Sequence, residues 1–176
     1  MKSTRLIRRT LVVTIAIAFL IITKATMAMK LTSTSFKDGG ILPEKYTCDG
    51  EGISPQIAWH DAPAETKSFV LIYDDPDAPS GTWVHWVLYN LPATANLLTE
   101  NEKSLPKGTQ IGLNSWPRTG YGAPCPPSGE HRYILHLYAL NTVLDLPEQA
   151  SSSQVYNAME GHILEEATLT GRYKRK

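Results

Sequence analysis

Ser68-Phe69-Val70-Leu71-Ile72-Tyr73-Asp74-Asp75-Pro76-Asp77-Ala78-Pro79-Ser80-Gly81 decides the fold class. Phe69 to Tyr73 is a continuous apolar run, aromatic and β-branched in part, without the polar alternation of a half-exposed strand. Such a run suits a central strand covered on both faces, so a packed layer is expected on each side of it. The second half stops the strand. Pro76 and Pro79 restrict the backbone, so the aspartates project from a rigid acidic corner at a strand end. Asp74 is expected to bond its own turn, whereas Asp75 and Asp77 are expected to serve or support a site.

Further short strand-like runs flank this one: Leu31 to Phe36, Gln56 to Trp59, Trp83 to Leu91, Thr109 to Leu113 and Tyr133 to Leu140. Leu31 to Ser35 alternates with polar residues, which suits an edge strand. Turn signals separate the runs at Asp49-Gly50, Ser80-Gly81, Lys107-Gly108 and Ser128-Gly129, where glycine supplies backbone angles closed to other residues. Many short strands imply a sandwich or a related stack of sheets. One segment has helical spacing, Ser151 to Glu166, with Val155, Met159 and Ile163 recurring every four residues. Ser151 and Gln154 form a capping-box pair at its start. Ala167 to Tyr173 reads as a closing strand.

Two more stretches carry chemistry. In Trp83-Val84-His85-Trp86-Val87-Leu88-Tyr89-Asn90, strand alternation puts Trp83 and His85 on one face and Val84 and Trp86 on the other. An aromatic ring beside an imidazole makes a pocket wall with a polar handle. Gly120-Tyr121-Gly122-Ala123-Pro124-Cys125-Pro126-Pro127-Ser128-Gly129-Glu130-His131-Arg132-Tyr133 is a Gly/Pro loop feeding a strand on which His131 and Tyr133 share a face. Its glycines allow close backbone approach, and its amides could face an anion. His136 is out of phase with that pair and points the other way; His60 falls beside Asp61 in a turn, and His162 is expected to pack or cap.

The first 28 residues differ from the rest. Lys2, Arg5, Arg8 and Arg9 precede an apolar run from Leu11 to Ile22, and Thr26-Met27-Ala28 resembles a cleavage site, so residues 1–28 are expected to be a signal peptide and 29–176 a single domain. The run is short for a membrane span, which needs about 20 apolar residues; the alternative is an uncleaved anchor. Of the 17 basic residues in the chain, five lie in this leader, so the remainder holds 12 basic against 17 acidic side chains, a net charge of −5. That sign disfavours nucleic acid and anionic membranes as partners. A periplasmic or secreted location follows, with no integral membrane association once the leader is removed. Export would place Cys48 and Cys125 in an oxidising compartment where such a pair bridges; two buried thiols or a metal-binding pair are the alternatives, and the C-x-x-C spacing that favours a metal is absent.

Taken in order, Asp-Pro-Asp-Ala-Pro, Val-His-Trp-Val-Leu-Tyr-Asn and Pro-Cys-Pro-Pro-x-Gly-x-His-Arg-Tyr resemble the phosphatidylethanolamine-binding protein family, also named after Raf kinase inhibitor protein, and its bacterial branch most closely. The likeness runs from about Lys30 to Tyr173. It implies an all-β fold in which a large sheet packs on a smaller one, with a few short helices and one helix near the C-terminus. It also implies a surface pocket for phosphate-like groups. Carried across by motif, the ligand-binding residues are Asp75, His85, His131 and Tyr133, supported by Asp77, Trp83 and Pro126 with Pro127. The early segment around Cys48 resembles the family's loop near the pocket, which makes a Cys48–Cys125 bridge spatially reasonable. The connection from the acidic motif to His85 is shorter here than in eukaryotic relatives, and their additional C-terminal helix is missing, which weakens any transfer of phospholipid or kinase binding.

The expected function is binding of a small anion, phosphate or a phosphorylated headgroup such as phosphoethanolamine, with no cofactor, no metal and no catalysis. His85 and His131 would donate to the anion, Tyr133 would add its hydroxyl, and loop amides would complete the cradle. A carboxylate at Asp75 would favour and orient a protonated imidazole, so affinity should rise as pH falls through the histidine range. A hydrolase using the His/Asp pocket is one alternative, although Gly-x-Ser-x-Gly, His-Glu-x-x-His, P-loop and dinucleotide motifs are all absent. A protein partner, with the chain as an inhibitor of a protease or kinase, is the other.

Overall fold

The computed structural model describes residues 27–176, so the leader assigned to residues 1–28 lies almost entirely outside the described residues. The described residues form nine strands: β1 (Lys30–Thr32), β2 (Gly40–Ile41), β3 (Ile57–His60), β4 (Ser68–Asp75), β5 (Trp83–Pro92), β6 (Leu97–Leu98), β7 (Gln110–Ile111), β8 (Glu130–Leu140) and β9 (Ile163–Lys174). A 3-10 turn covers Glu44–Tyr46, and one helix, α1, covers Ser152–Met159. Among the described residues no helix is long and apolar enough to cross a membrane.

The strands form a six-stranded sheet in the order β2-β9-β8-β4-β5-β7 and a three-stranded sheet in the order β1-β3-β6. All eight residues of β4 are buried. Their alternation explains the unbroken apolar run. Phe69, Leu71 and Tyr73 enter the core between the sheets, where they meet Leu31, Ile57, Trp59 and Leu98, while Val70 and Ile72 enter a second core that Val155 and Met159 of α1 close from behind. The all-β, two-sheet architecture expected from the sequence is therefore present, with β1 on an edge of the smaller sheet.

Three local expectations need correction. Ser151 does cap α1 through a reciprocal box with Gln154, but the helix stops at Met159 instead of running to Glu166. Gly161 takes φ +76° there, and from Ile163 the chain pairs with β8 instead, leaving Ile163 46% exposed rather than on the helix's buried stripe. Eleven paired positions along β8 outweigh local helical periodicity. The second correction concerns β5. Tyr73 opposes Trp86 while Asp74 opposes Val84, so His85 is an extra residue in a β-bulge. The bulge moves Trp86 into the inter-sheet core, whereas Val84 packs on the α1 side, so the two do not share a face. Third, Asp74 is a strand residue rather than part of a self-bonded turn: it faces the α1 side, its Oδ1 3.6 Å from Nε2 of His136.

Candidate functional site

The acidic corner closes β4 as Pro76 interrupts the ladder. Asp75 is 4% exposed and both its oxygens are engaged: Oδ2 lies 2.7 Å from Nδ1 of His131, and Oδ1 accepts the amide of Asp77 at 2.9 Å. Asp77 in turn accepts from Arg132 three times, from the amide at 2.9 Å, Nε at 2.9 Å and Nη2 at 2.6 Å. The Arg132 guanidinium and amide hold the Asp77 carboxyl down at about 2. Asp77 thus clamps the corner to the start of β8.

His85 is fixed by the Gly/Pro loop. A carbonyl can only accept, so Nδ1 of His85 carries the proton donated to Gly122 O at 2.8 Å, and the amide of Gly122 donates back to His85 O at 2.8 Å. A side chain at Gly122 would be crowded out: its Cβ would fall 2.4 Å from Cζ3 of Trp116. Burial pushes the His85 pKa down, against the smaller upward pull of the Gly122 carbonyl. The ring is therefore neutral near pH 7, and its Nε2 has no hydrogen-bond partner among the described residues. Tyr133 is 1% exposed; burial and the nearby Asp75 push its hydroxyl pKa far up, which keeps it a donor.

These groups surround a cavity of about 170 Å³. Asp75, Ser80, His85 and Tyr133 supply its polar lining, Trp83 and Trp116 its aromatic walls, and Cys125 and Pro127 one rim. Trp116 meets the edge of His85 at 5.1 Å and of Trp83 at 5.3 Å. Of the residues singled out from sequence, Asp75, Trp83, His85 and Tyr133 converge on the cavity. His131 shares their face yet stands behind Asp75 as its partner; Asp77 is also outside the lining, and Pro127 rather than Pro126 reaches it. The expected amide cradle is thin, because Gly122 spends its amide on His85 and Pro124, Pro126 and Pro127 have none. Ser80 and Trp116 also line the cavity, and nothing in the sequence points to them, because the approach of Trp116 to His85 is set by long-range packing. Cys125 is bridged to Cys48, with Sγ–Sγ 2.11 Å and Cα–Cα 5.4 Å.

A second cavity, about 390 Å³, is lined by Trp86, Ile111 and Tyr121 together with loop residues 51–54 and 101–103. It is larger, but it has no histidine, and the Glu102 carboxylate on its wall is occupied by the Thr99 and Ser104 amides. The smaller cavity is therefore the candidate site, lined by an imidazole, a phenol and a carboxylate. Among the described residues no group of three or more His, Cys, Asp or Glu side chains is arranged to hold a metal ion.

The sequence model for the phosphatidylethanolamine-binding protein matches residues 32–174. The chain belongs to the phosphatidylethanolamine-binding protein family. It is 52% identical over 150 residues to a UPF0098 protein of Methanothermobacter thermautotrophicus, covering 84% of this chain and 99% of the relative. It is 49% identical over 152 residues to a UPF0098 protein of Aquifex aeolicus, covering 84% and 89%. The crystal structure of a putative phosphatidylethanolamine-binding protein homolog from Chlamydia trachomatis superposes with a TM-score of 0.80 at 42% identity, covering 85% of this chain and 99% of that one. E. coli YbcL, described as a member of the mammalian family, gives a TM-score of 0.80 at 30% identity over 85% and 100%. In this family member the three sequence motifs fall at the ends of adjacent strands β4, β5 and β8, which is why residues from distant stretches meet.

Proposed function

We propose that the protein binds a small anion, phosphate or a phosphorylated headgroup, in the cavity between β4, β5 and β8, without catalysing its conversion. The observation that carries this reading is that His85, buried, with its pKa lowered and with no partner for Nε2 among the described residues, lines the same cavity as Tyr133 and Asp75. The cavity wall contains no lysine or arginine, so the anion must bring a proton or deliver one to His85. A phosphate monoester does this readily, its second ionisation lying near pH 6. Tyr133 donates to an unprotonated oxygen, and Nε2 either accepts from the P–OH or becomes protonated and donates. Calorimetry with phosphate and phosphoethanolamine between about pH 5 and about pH 8, bracketing the usual histidine range, tests the reading. Affinity should strengthen toward low pH and vanish in His85→Ala; equal affinity throughout the range refutes it.

Export to the periplasm or beyond belongs to the same proposal. It is supported by the basic-apolar leader pattern and by the bridged Cys48–Cys125 pair, which persists in oxidising compartments. Sequencing the N-terminus of protein recovered from the exported fraction tests it, with processing after Ala28 the expected result. A second reading, hydrolysis, is favoured by one observation: the Ser80 hydroxyl lines the same cavity as His85. Turnover of a phosphoester or ester substrate, lost in both Ser80→Ala and His85→Ala, would replace the binding reading with this one. Docking of a protein partner rests on the family's inhibitory members and would show as capture abolished by His85→Ala.

A further inference from the structure

We propose that Arg118, seated on Trp116 at the cavity rim, makes the protein prefer phosphate esters carrying a second negative charge beside the phosphate. This rests on the anion-binding reading above. Around the cavity, positive charge is scarce. Asp75 brings a carboxylate, His131 stands behind it, and Arg132 is committed to Asp77. The described cations thus leave the cavity without a charged donor in its wall, and a second acidic group on a ligand must find its partner at the mouth.

Arg118 is held there by design of the local backbone. The segment from Leu113 to Thr119 doubles back on itself, closed by a bridge between those two residues. Asn114, 5% exposed, organises the turn: its amide donates to Arg118 O at 2.9 Å, its Oδ1 accepts from the Trp116 amide at 3.0 Å, and its Nδ2 donates to Gly120 O at 3.2 Å. Ser115 fixes the turn to β5, donating its amide to Val84 O and accepting the Val84 amide on Oγ, both at 2.9 Å. The tip therefore presents Trp116 to the cavity and Arg118 to Trp116, with the Arg118 Cζ 5.3 Å from the indole ring.

The guanidinium is exposed and, among the described residues, makes no hydrogen bond or ion pair. Stacking on an indole restricts the side chain while leaving the in-plane N–H groups free to meet an acid. One ring is thus both cavity wall and seat of the charge, with Arg118 itself just outside the lining. A cavity of about 170 Å³ is small, and an ester substituent that leaves it past Trp116 approaches Arg118. A carboxylate there pairs with Arg118, and an ammonium group is repelled.

O-Phosphoserine and O-phosphoethanolamine differ by one carboxylate and isolate this contact; inorganic phosphate serves as the reference ligand. Calorimetry at low ionic strength should show phosphoserine bound about threefold to fivefold more tightly than phosphoethanolamine, the scale of an exposed ion pair. The preference should shrink in about 1 M salt, where the screening length falls to about 3 Å. In Arg118→Gln the ratio of the two dissociation constants should fall to about one, and Arg118→Lys should retain part of it, with unchanged melting curves verifying the fold of both variants. The inference is overturned if wild-type protein binds inorganic phosphate yet shows no preference, or if the preference survives in Arg118→Gln. If inorganic phosphate itself fails to bind across the pH range, the anion-binding reading falls and this inference with it.

Discussion

Removing the Cys48–Cys125 bridge should destabilise the domain and loosen one wall of the cavity together. The two cysteines are 77 positions apart, and the chain-entropy relation gives about 4.5 kcal/mol at 25 °C for closing a loop of that length, as an upper bound. A domain of ordinary stability has only about 5–15 kcal/mol in total, so the loss is a large share. The wall depends on the bridge for a local reason. Among the described residues no hydrogen bond holds residues 125–129, and their anchors on either side are the Cys48 amide on Pro124 O at 3.0 Å and the pairing of Glu130 with Lys174. Cys48→Ser combined with Cys125→Ser should move the urea midpoint down by about 2 M, taking a denaturant slope of about 2 kcal/mol/M. Tryptophan fluorescence follows it conveniently, because Trp83 and Trp116 line the cavity beside the bridge. Phosphate affinity should fall in the same variant, and since both cysteines are exposed, a dithiol should reproduce both effects in wild-type protein. A midpoint shift below about 0.5 M, with the slope unchanged, would refute the argument.

Histidine titrations by NMR should separate two imidazoles, with His85 below the ordinary value of 6.5 because it is buried, and His136 above it because Asp74 and Glu166 together outweigh its burial; the reverse order would be incompatible with the geometry. Linkage gives opposite signs: the His136 contribution to stability is fully present below the unfolded pKa of about 6.5 and fades as pH rises through its raised folded value, whereas buried His85 costs stability as pH falls below about 6.5. Gly122→Ala should destabilise by about 1–3 kcal/mol through crowding of Trp116 and should weaken phosphate binding, measured by thermal unfolding and calorimetry; neutrality in both would show that Trp116 yields freely. Arg132→Gln should raise the Asp77 pKa from about 2 toward the ordinary carboxylate range, followed by carboxyl NMR shifts, and an Asp77 that still titrates near 2 would mean that the backbone amide alone suffices.

Strand β4 was readable because burial on both faces writes a continuous apolar run into the chain, and the capping pair at Ser151 was readable because it is local. The bulge at His85 was not, since one inserted residue changes no composition and is set by pairing with Tyr73 and Asp74. Alternation placed His131 and Tyr133 on a common face correctly, but depth within that face is a tertiary matter: Tyr133 meets the cavity, and His131 is covered by Asp75. The placement of Trp116 and Arg118 was hidden for a related reason. Their turn acquires meaning only through Ser115 and Val84, which are 31 positions apart.

Asp74 and Asp75 are consecutive, yet each serves an imidazole on the opposite surface of one sheet, His136 toward α1 and His131 toward the cavity. The field of Asp74 also reaches His85 and favours its charged form. Replacing Asp74, on the surface away from the cavity, would therefore move the His85 pKa further down. The two sides of this sheet are electrically linked through neighbouring carboxylates, and a survey of variants confined to the cavity wall would overlook a charge that acts on His85.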